Sequence, residues 1–338
     1  MIAVSGDDVC SLTRKHDAKT DLLRGESLVL FRQLEYFVAV ARERHFARAA
    51  EACYVSQPAL SASIAKLERE LNVTLINRGH NYEGLTVEGE RLVVWAKRIL
   101  AEQEAFKAEV AAVQSGITGT LRLGTEPTAS TTQALPVAAF CAAHPLAKVQ
   151  VACRLSTTEL SRQLREFELD AAIAHFAAED QSGLQVVPLY QERYIVLTSA
   201  DQLPPKGYTM TWADAAQLPL ALLTPDMRIR QVIDKAFAES GTVVTPQVES
   251  DSVASLYAQV GVGAWATIVP HTWLRAMPVV GQARAVRLVE PDTRAQVSVA
   301  THAATPGSVV ARAFVTAARG LSLDAFFDQT LPIEPLVN

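Results

Sequence analysis

Residues 46–61 read Phe46-Ala47-Arg48-Ala49-Ala50-Glu51-Ala52-Cys53-Tyr54-Val55-Ser56-Gln57-Pro58-Ala59-Leu60-Ser61. The alanine-rich start predicts a short helix from Phe46 to about Ala52. Cys53-Tyr54-Val55 make a tight connection, and Ser56 is a good N-cap for a longer helix, because its hydroxyl can accept from an otherwise unpaired N–H. Pro58 falls in the first turn of that helix, where its missing N–H costs nothing. Leu60, Ile64, Leu67 and Leu71 then mark one apolar stripe. Short helix, tight turn, longer helix is the layout of a helix-turn-helix, placed here at about residues 46–65.

The side opposite that stripe carries Pro58, Ala62, Ala65, Lys66 and Arg69, with Gln57 and Ser61 on its flank. Small residues let a helix sit deep in a groove about 12 Å wide, and Gln and Ser can hydrogen-bond base edges. The same pattern also suits the solvated face of an ordinary helical bundle. Residues 31–90 hold seven basic and eight acidic side chains, and the whole chain carries −5. Bulk positive charge therefore does not hold nucleic acid here. Phosphate contacts fall to single cations such as Arg48, Lys66 and Arg69, and to helix N-termini at Ser56.

Upstream, Leu34, Phe37, Val38 and Ala41 give a first helix with an apolar face. Downstream, Leu92, Ile99, Phe106 and Val113 recur every seventh residue from Glu88 to Gln114, with Ala96 and Val110 in the second seam. That is a heptad over about four repeats, fit for a two-stranded coiled coil roughly 40 Å long. A helix packed on its own chain is the alternative. Ser115-Gly116-Ile117-Thr118-Gly119 stops the helical region.

Beyond Gly116 short β-like runs alternate with amphipathic stretches, the rhythm of an α/β domain. Leu121–Leu123, Val149–Cys153 and Ala171–Ala174 read as strands. Residues 131–143 and the Leu160, Leu164, Phe167 stripe read as helices. A second round runs from Tyr194 to about Val289, before Ala295–Ala300 and a helix over 307–319 return to the first. Two such lobes joined by crossing strands enclose a cleft. Thr128 and Ser130, Ser156 and Thr157, and Thr224 lie at strand-to-helix turns, where helix N–H groups make anion sites. The expectation is a small anionic ligand held by Thr128, Ser130, Ser156, Thr157 and Thr224, although each hydroxyl alone suits a plain helix cap.

The length of 338 residues predicts two or three domains, and 49% apolar content suits large cores. Four cysteines without a C-x-x-C pair form no disulfide framework or zinc site. No apolar run reaches the roughly 20 residues of a membrane span. Residues 1–28 carry charges instead of a secretory core, so a flexible extension and a cytoplasmic location are expected. Gly261-x-Gly263-x-x-Ala266 imitates a dinucleotide fingerprint but precedes a strand, so it reads as a helix stop. Seven scattered histidines give no metal site, and no catalytic motif or cofactor signature is present.

Phe31-Arg32-Gln33-Leu34-Glu35-Tyr36-Phe37-Val38-Ala39-Val40-Ala41 and Arg48-Ala49-Ala50-Glu51 resemble the start of LysR-type transcriptional regulators. So do Val55-Ser56-Gln57-Pro58-Ala59-Leu60-Ser61, Leu67-Glu68, and Leu85-Thr86 with Gly89. Leu121-Arg122-Leu123-Gly124, Leu135-Pro136 and Leu169-Asp170-Ala171-Ala172 extend the likeness.

The resemblance implies an α/β protein with an all-α N-terminal part. A winged helix-turn-helix (29–87) and a linker and dimerisation helix (88–116) would precede a two-lobed domain (117–338) resembling periplasmic binding proteins. Lobe I covers about 119–190 and 296–320, and lobe II about 191–295. The implied partners are promoter DNA with an imperfect inverted repeat, a small-molecule effector, a second copy or a dimer of dimers, and RNA polymerase. No membrane and no cofactor are implied, and the outcome is activation or repression. Gln57, Pro58 and Ser61 match base-reading positions, and Arg78 matches the wing arginine that meets phosphate. Ala62 stands where arginine is frequent. His45 stands where serine often caps the second helix, which predicts that this cap is missing. The rivals are a cytoplasmic solute-binding protein and an enzyme with a helical front domain.

Overall fold

In the computed structural model the described residues are 30–78, 82–199, 209–277, 283–303 and 307–329. The expected extension over 1–28 lies outside them. The chain divides into two compact units, Met1–Leu100 and Ala101–Asn338.

In the first unit α1 (Phe31–Glu43), α2 (Phe46–Ala52) and α3 (Gln57–Leu71) precede a hairpin of β1 (Ile76–Arg78) and β2 (Tyr82–Leu85). Leu60, Ile64 and Leu67 of α3 are completely buried against Phe37, Val40, Ala49 and Ala50. Each such side chain contributes about 1.5–3 kcal/mol by leaving water. Leu71 departs from the expected stripe and is 40% exposed. It is the last residue of α3, and Asn72 turns the chain away in the left-handed conformation.

The expected missing cap is also corrected. His45 Nδ1 accepts from the Arg48 N–H at 3.4 Å, so an imidazole does what serine does elsewhere. Ile76 fills the core beneath the hairpin. Gly89 is required sterically, since a Cβ there would stand 2.0 Å from the Leu75 carbonyl oxygen.

Helix α4 (Val87–Ser115) has 29 residues, about 43 Å at 1.5 Å per residue. Leu92, Ala96 and Leu100 pack on the core of the first unit, and Ala108 and Ala112 on that of the second. Other apolar positions of the helix stay partly or largely exposed among the described residues. Phe106 is 71% and Val113 85% exposed, and Ile99, Val110 and Trp95 join them.

The second unit runs β3 (Gly119–Thr125), a 3-10 turn (Pro127–Ser130), α5 (Ala134–Ala143), β4 (Ala147–Ala152), α6 (Thr157–Arg165), β5 (Ala171–Ala174) and β6 (Leu184–Ser199). It continues with β7 (Thr209–Thr211), α7 (Trp212–Ala215), β8 (Ala221–Leu223), α8 (Arg228–Glu239), β9 (Val248–Ser250), α9 (Val253–Gly261) and β10 (Thr267–Pro270). It closes with β11 (Ala283–Val289), β12 (Arg294–His302), α10 (Val309–Arg319) and α11 (Leu323–Asp328).

Strands β4, β3 and β5 are parallel in lobe I. The long β6 pairs antiparallel with β12 along its first part and with β11 and β10 along its second, so it passes from one lobe into the other. Strands β8 and β9 form a separate parallel pair. Lobe I centres on Leu121, Phe140, Ile173 and Phe314, and lobe II on Trp212, Leu222, Phe237 and Ile268.

Three boundaries differ from expectation. The helix expected over 131–143 begins only at Ala134, after the 3-10 turn. Phe167 lies beyond α6 with φ 58°, its ring stacked on His302 instead of continuing the buried stripe. Lobe I extends past residue 320, because Leu323 and Phe327 of α11 enter its core.

Candidate nucleic-acid interface and interlobe site

The inward stripe of α3 leaves its other side open to solvent. Ser56, Gln57, Pro58, Ala62, Lys66 and Arg69 are exposed, as is Arg48 of α2, and Ser61 is half-buried. The Ser56 hydroxyl accepts from the Ala59 N–H at 3.4 Å and so fixes the start of the helix. The cations make only loose local contacts. Lys66 Nζ is 3.7 Å from Glu70, Arg69 Nε donates to the Ala65 carbonyl, and Arg48 donates to the Glu43 carbonyl. Exposed contacts of this kind contribute at most about 1 kcal/mol, so phosphate oxygens can replace them. The Arg78 side chain lies outside the described residues.

The second site is built at the lobe junction. Glu126 follows β3, His175 follows β5, and Glu192 lies in the part of β6 paired with β12. His175 Nδ1 contacts Glu126 Oε1, and its Nε2 stands 3.0 Å from Glu192 Oε2. Thr157, the first residue of α6, donates to Glu126 Oε2 at 3.4 Å, and Thr272 of lobe II donates to Glu192 Oε1 at 3.0 Å. All five side chains are buried. Burial by itself pushes the His175 imidazole down, but Glu126 and then Glu192 outweigh it and hold the ring up at about 10. The imidazole is therefore a cation between two carboxylates.

The expected hydroxyls divide. Thr128 and Thr157 belong to this junction, Thr128 through its carbonyl, which accepts from Trp273 Nε1 at 3.1 Å. Ser130 donates to the Pro127 carbonyl and Ser156 caps α6, so both are engaged locally. Thr224 is half-buried in lobe II, and its hydroxyl has no partner among the described residues. The anion expectation rested on free helix N–H groups, whereas the Thr157 hydroxyl points at a carboxylate.

Glu126, His175, Glu192 and Thr272 escaped sequence reasoning. One usable signal was an ionisable residue directly after an all-buried strand, as His175 is. Another was a glutamate alternating with Tyr190 and Tyr194 on the inward side of β6. Gln191 and Arg193, on the other side of β6, line a cavity of about 330 Å³ with Arg294, Gln296, Asp324 and Asp328, and none of the expected ligand residues reaches it.

Residues 31–90 match the family model described as bacterial regulatory helix-turn-helix protein, lysR family, and residues 114–322 match the LysR substrate binding domain. The SDS degradation transcriptional activation protein of a Pseudomonas species is 34% identical over 238 residues, 68% of this chain and 75% of the relative. The DNA-binding transcriptional dual regulator OxyR of Escherichia coli is 30% identical over 240 residues, 71% of this chain and 78% of the relative.

Among solved structures, a full-length OxyR cysteine variant from Pseudomonas aeruginosa superposes with a TM-score of 0.71 at 24% identity, covering 88% of this chain and 96% of that one. CbnR, a LysR family transcriptional regulator, gives 0.60 at 23%, covering 86% and 98%. At these identities the structures establish shared fold. Family models over both parts of the chain, with relatives of this identity, place it in the LysR family of DNA-binding transcriptional regulators.

Proposed function

We propose that this regulator reads promoter DNA with the exposed side of α3, as protomers paired through α4, and responds to a small molecule between its lobes. The observation that carries the reading is the division of α3. Leu60, Ile64 and Leu67 are fully buried, while Gln57, Pro58, Ala62, Lys66 and Arg69 face solvent with small residues at the centre. Small residues at the centre of that uncovered side let it approach a groove closely, with Gln57 and Ser61 able to reach base edges. The wing hairpin follows at once, with Arg78 as its phosphate contact.

Pairing through α4 follows from Phe106 and Val113, largely exposed among the described residues, with Ile99 and Val110 partly exposed beside them. Two DNA-binding parts joined this way match the two halves of an inverted repeat, and two such pairs give a dimer of dimers. RNA polymerase is the further partner at the promoter, in the cytoplasm. An effector acts by preferring one lobe arrangement, and a coupling of roughly 1–3 kcal/mol is enough to change how bound DNA is bent.

Some relatives are named hydrogen peroxide-inducible genes activators. A metabolite fits this chain better than thiol oxidation, since the junction is made of carboxyl, imidazole and hydroxyl groups and Cys141 and Cys153 are not among its residues. The relatives are regulators, and nothing at the junction favours an enzyme or a transport protein. Gel-shift of the full chain on DNA upstream of its own reading frame tests the proposal. A sequence-dependent shift supports it, and equal binding to scrambled duplexes overturns it.

A further inference from the structure

The junction also restricts the chemistry of the molecule it can receive. One imidazole stands between two carboxylates, with Nδ1 toward Glu126 and Nε2 toward Glu192. A single imidazole thus serves two carboxyl groups, and no second basic side chain bonds to either among the described residues. Three more polar groups lie near this cluster along the chain or on the same side of β6. The hydroxyls of Thr125, Thr128 and Tyr194 are each at least nine-tenths buried and have no hydrogen-bond partner among the described residues. Unpaired buried hydroxyls are costly, and their concentration beside one charged cluster points to groups that a ligand completes.

Thr125 adjoins Glu126, and Thr128 is in the turn that follows. Tyr194 shares the inward side of β6 with Glu192. The bond from Thr157 to Glu126 is long, at 3.4 Å, and is the contact a better donor would replace. Arg228, at the start of α8, donates to Gln231 and is near enough to act on Tyr194, but it makes no bond to Glu126 among the described residues.

We infer that Glu126, His175 and Glu192 form the specificity element of the effector site, selecting a ligand that offers hydrogen-bond donors, as hydroxyls or an ammonium, and rejecting carboxylates. This rests on the reading that an effector binds between the lobes. A carboxylate set against Glu126 meets a like charge in a poorly polarisable interior, where the bonded His175 imidazole is already shared by two glutamates and Arg228, which acts on Tyr194, is engaged with Gln231. A hydroxyl or ammonium donates to Glu126 and satisfies Thr128 and Tyr194 with its remaining groups. The effector then bridges lobe I, which supplies Glu126 and Thr128, and β6, which supplies Tyr194.

Thermal unfolding of the full chain against three probe sets tests the inference. The sets are polyols (myo-inositol, ribose, glycerol), amines (putrescine, benzylamine, agmatine) and carboxylates (benzoate, succinate, citrate). A polyol or an amine is expected to raise Tm, and no carboxylate is. Glu126→Gln is expected to weaken the stabilising probe by about tenfold or more, the loss of one charge-assisted hydrogen bond, and to admit carboxylates. His175→Gln removes the cation and is expected to strengthen amine binding by a similar factor, which serves if Glu126→Gln fails to fold.

Stabilisation of the unaltered chain by carboxylates overturns the inference. So does the absence of any polyol or amine effect, or unchanged affinity in both variants. Gel-shift of the unaltered chain scores the DNA-binding reading separately, so its failure is distinguishable from that of the ligand class.

Discussion

The indole N–H of Trp273, in lobe II, donates to the backbone carbonyl of Thr128, in lobe I, at 3.1 Å. Trp273 is anchored among Ile195, Leu197, Val260 and Val269, and Thr128 sits in the 3-10 turn beside Glu126. The bond ties the two lobes together beside the Glu126–His175–Glu192 cluster.

Trp273→Phe keeps most of the aromatic volume and removes the donor. Leaving a buried carbonyl unpaired is expected to cost about 1–3 kcal/mol, seen in urea denaturation of the full chain. Unchanged stability would mean that water or another donor replaces the indole.

The Glu126–His175–Glu192 chain predicts a pH dependence. The folded imidazole is held at about 10 and the ordinary value is 6.5. A raised value in the folded state gives stability that is complete below about 6.5 and lost as pH rises through about 10. Glu126 and Glu192 are bonded to it, and Tyr190, Tyr194 and His271 feel the charge of Glu192; burial, followed by the neighbouring carboxylates, pushes both tyrosines up, so they stay protonated over that range. Tm should therefore fall as pH rises from about 7 to about 10, and His175→Gln should flatten the fall.

Phe106→Glu tests α4. A charge at an uncovered heptad position is expected to convert a dimer to monomers in analytical ultracentrifugation and to weaken DNA binding with it. A variant with unaltered mass would show that pairing runs through another surface.

Gly89→Ala places a Cβ 2.0 Å from the Leu75 carbonyl oxygen. The start of α4 must then move off the DNA-binding part, at a cost of about 1–3 kcal/mol. Calorimetry should show a lowered first transition.

Much of this was legible in the sequence because it is local. The bounds of α2, the Ser56 cap, the Leu60–Ile64–Leu67 stripe and the exposed heptad positions all follow from residues within two turns of one another. The strand and helix order of the lobes was readable for the same reason. The failures are tertiary. His45 caps α2 although imidazole is an uncommon cap, and Leu71 faces solvent because Asn72 redirects the chain.

The interlobe cluster could not be read at all. Glu126 and His175 are 49 residues apart, and Glu192 and Thr272 are 80 apart. Only the crossing of β6 and β12 brings them together. Hydroxyls at turns were visible, but whether Ser130 and Ser156 would be consumed by their own backbone depended on geometry.

The most direct test of the central claim compares Gln57→Ala and Lys66→Ala with the unaltered chain in gel-shift titrations over a range of salt. If the open side of α3 lies against base edges, Gln57→Ala should lose about 1–3 kcal/mol of discrimination between cognate and scrambled DNA. Lys66→Ala should weaken both duplexes alike and reduce the salt slope by about 1. Undiminished discrimination in Gln57→Ala, with an unchanged slope in Lys66→Ala, would contradict the account.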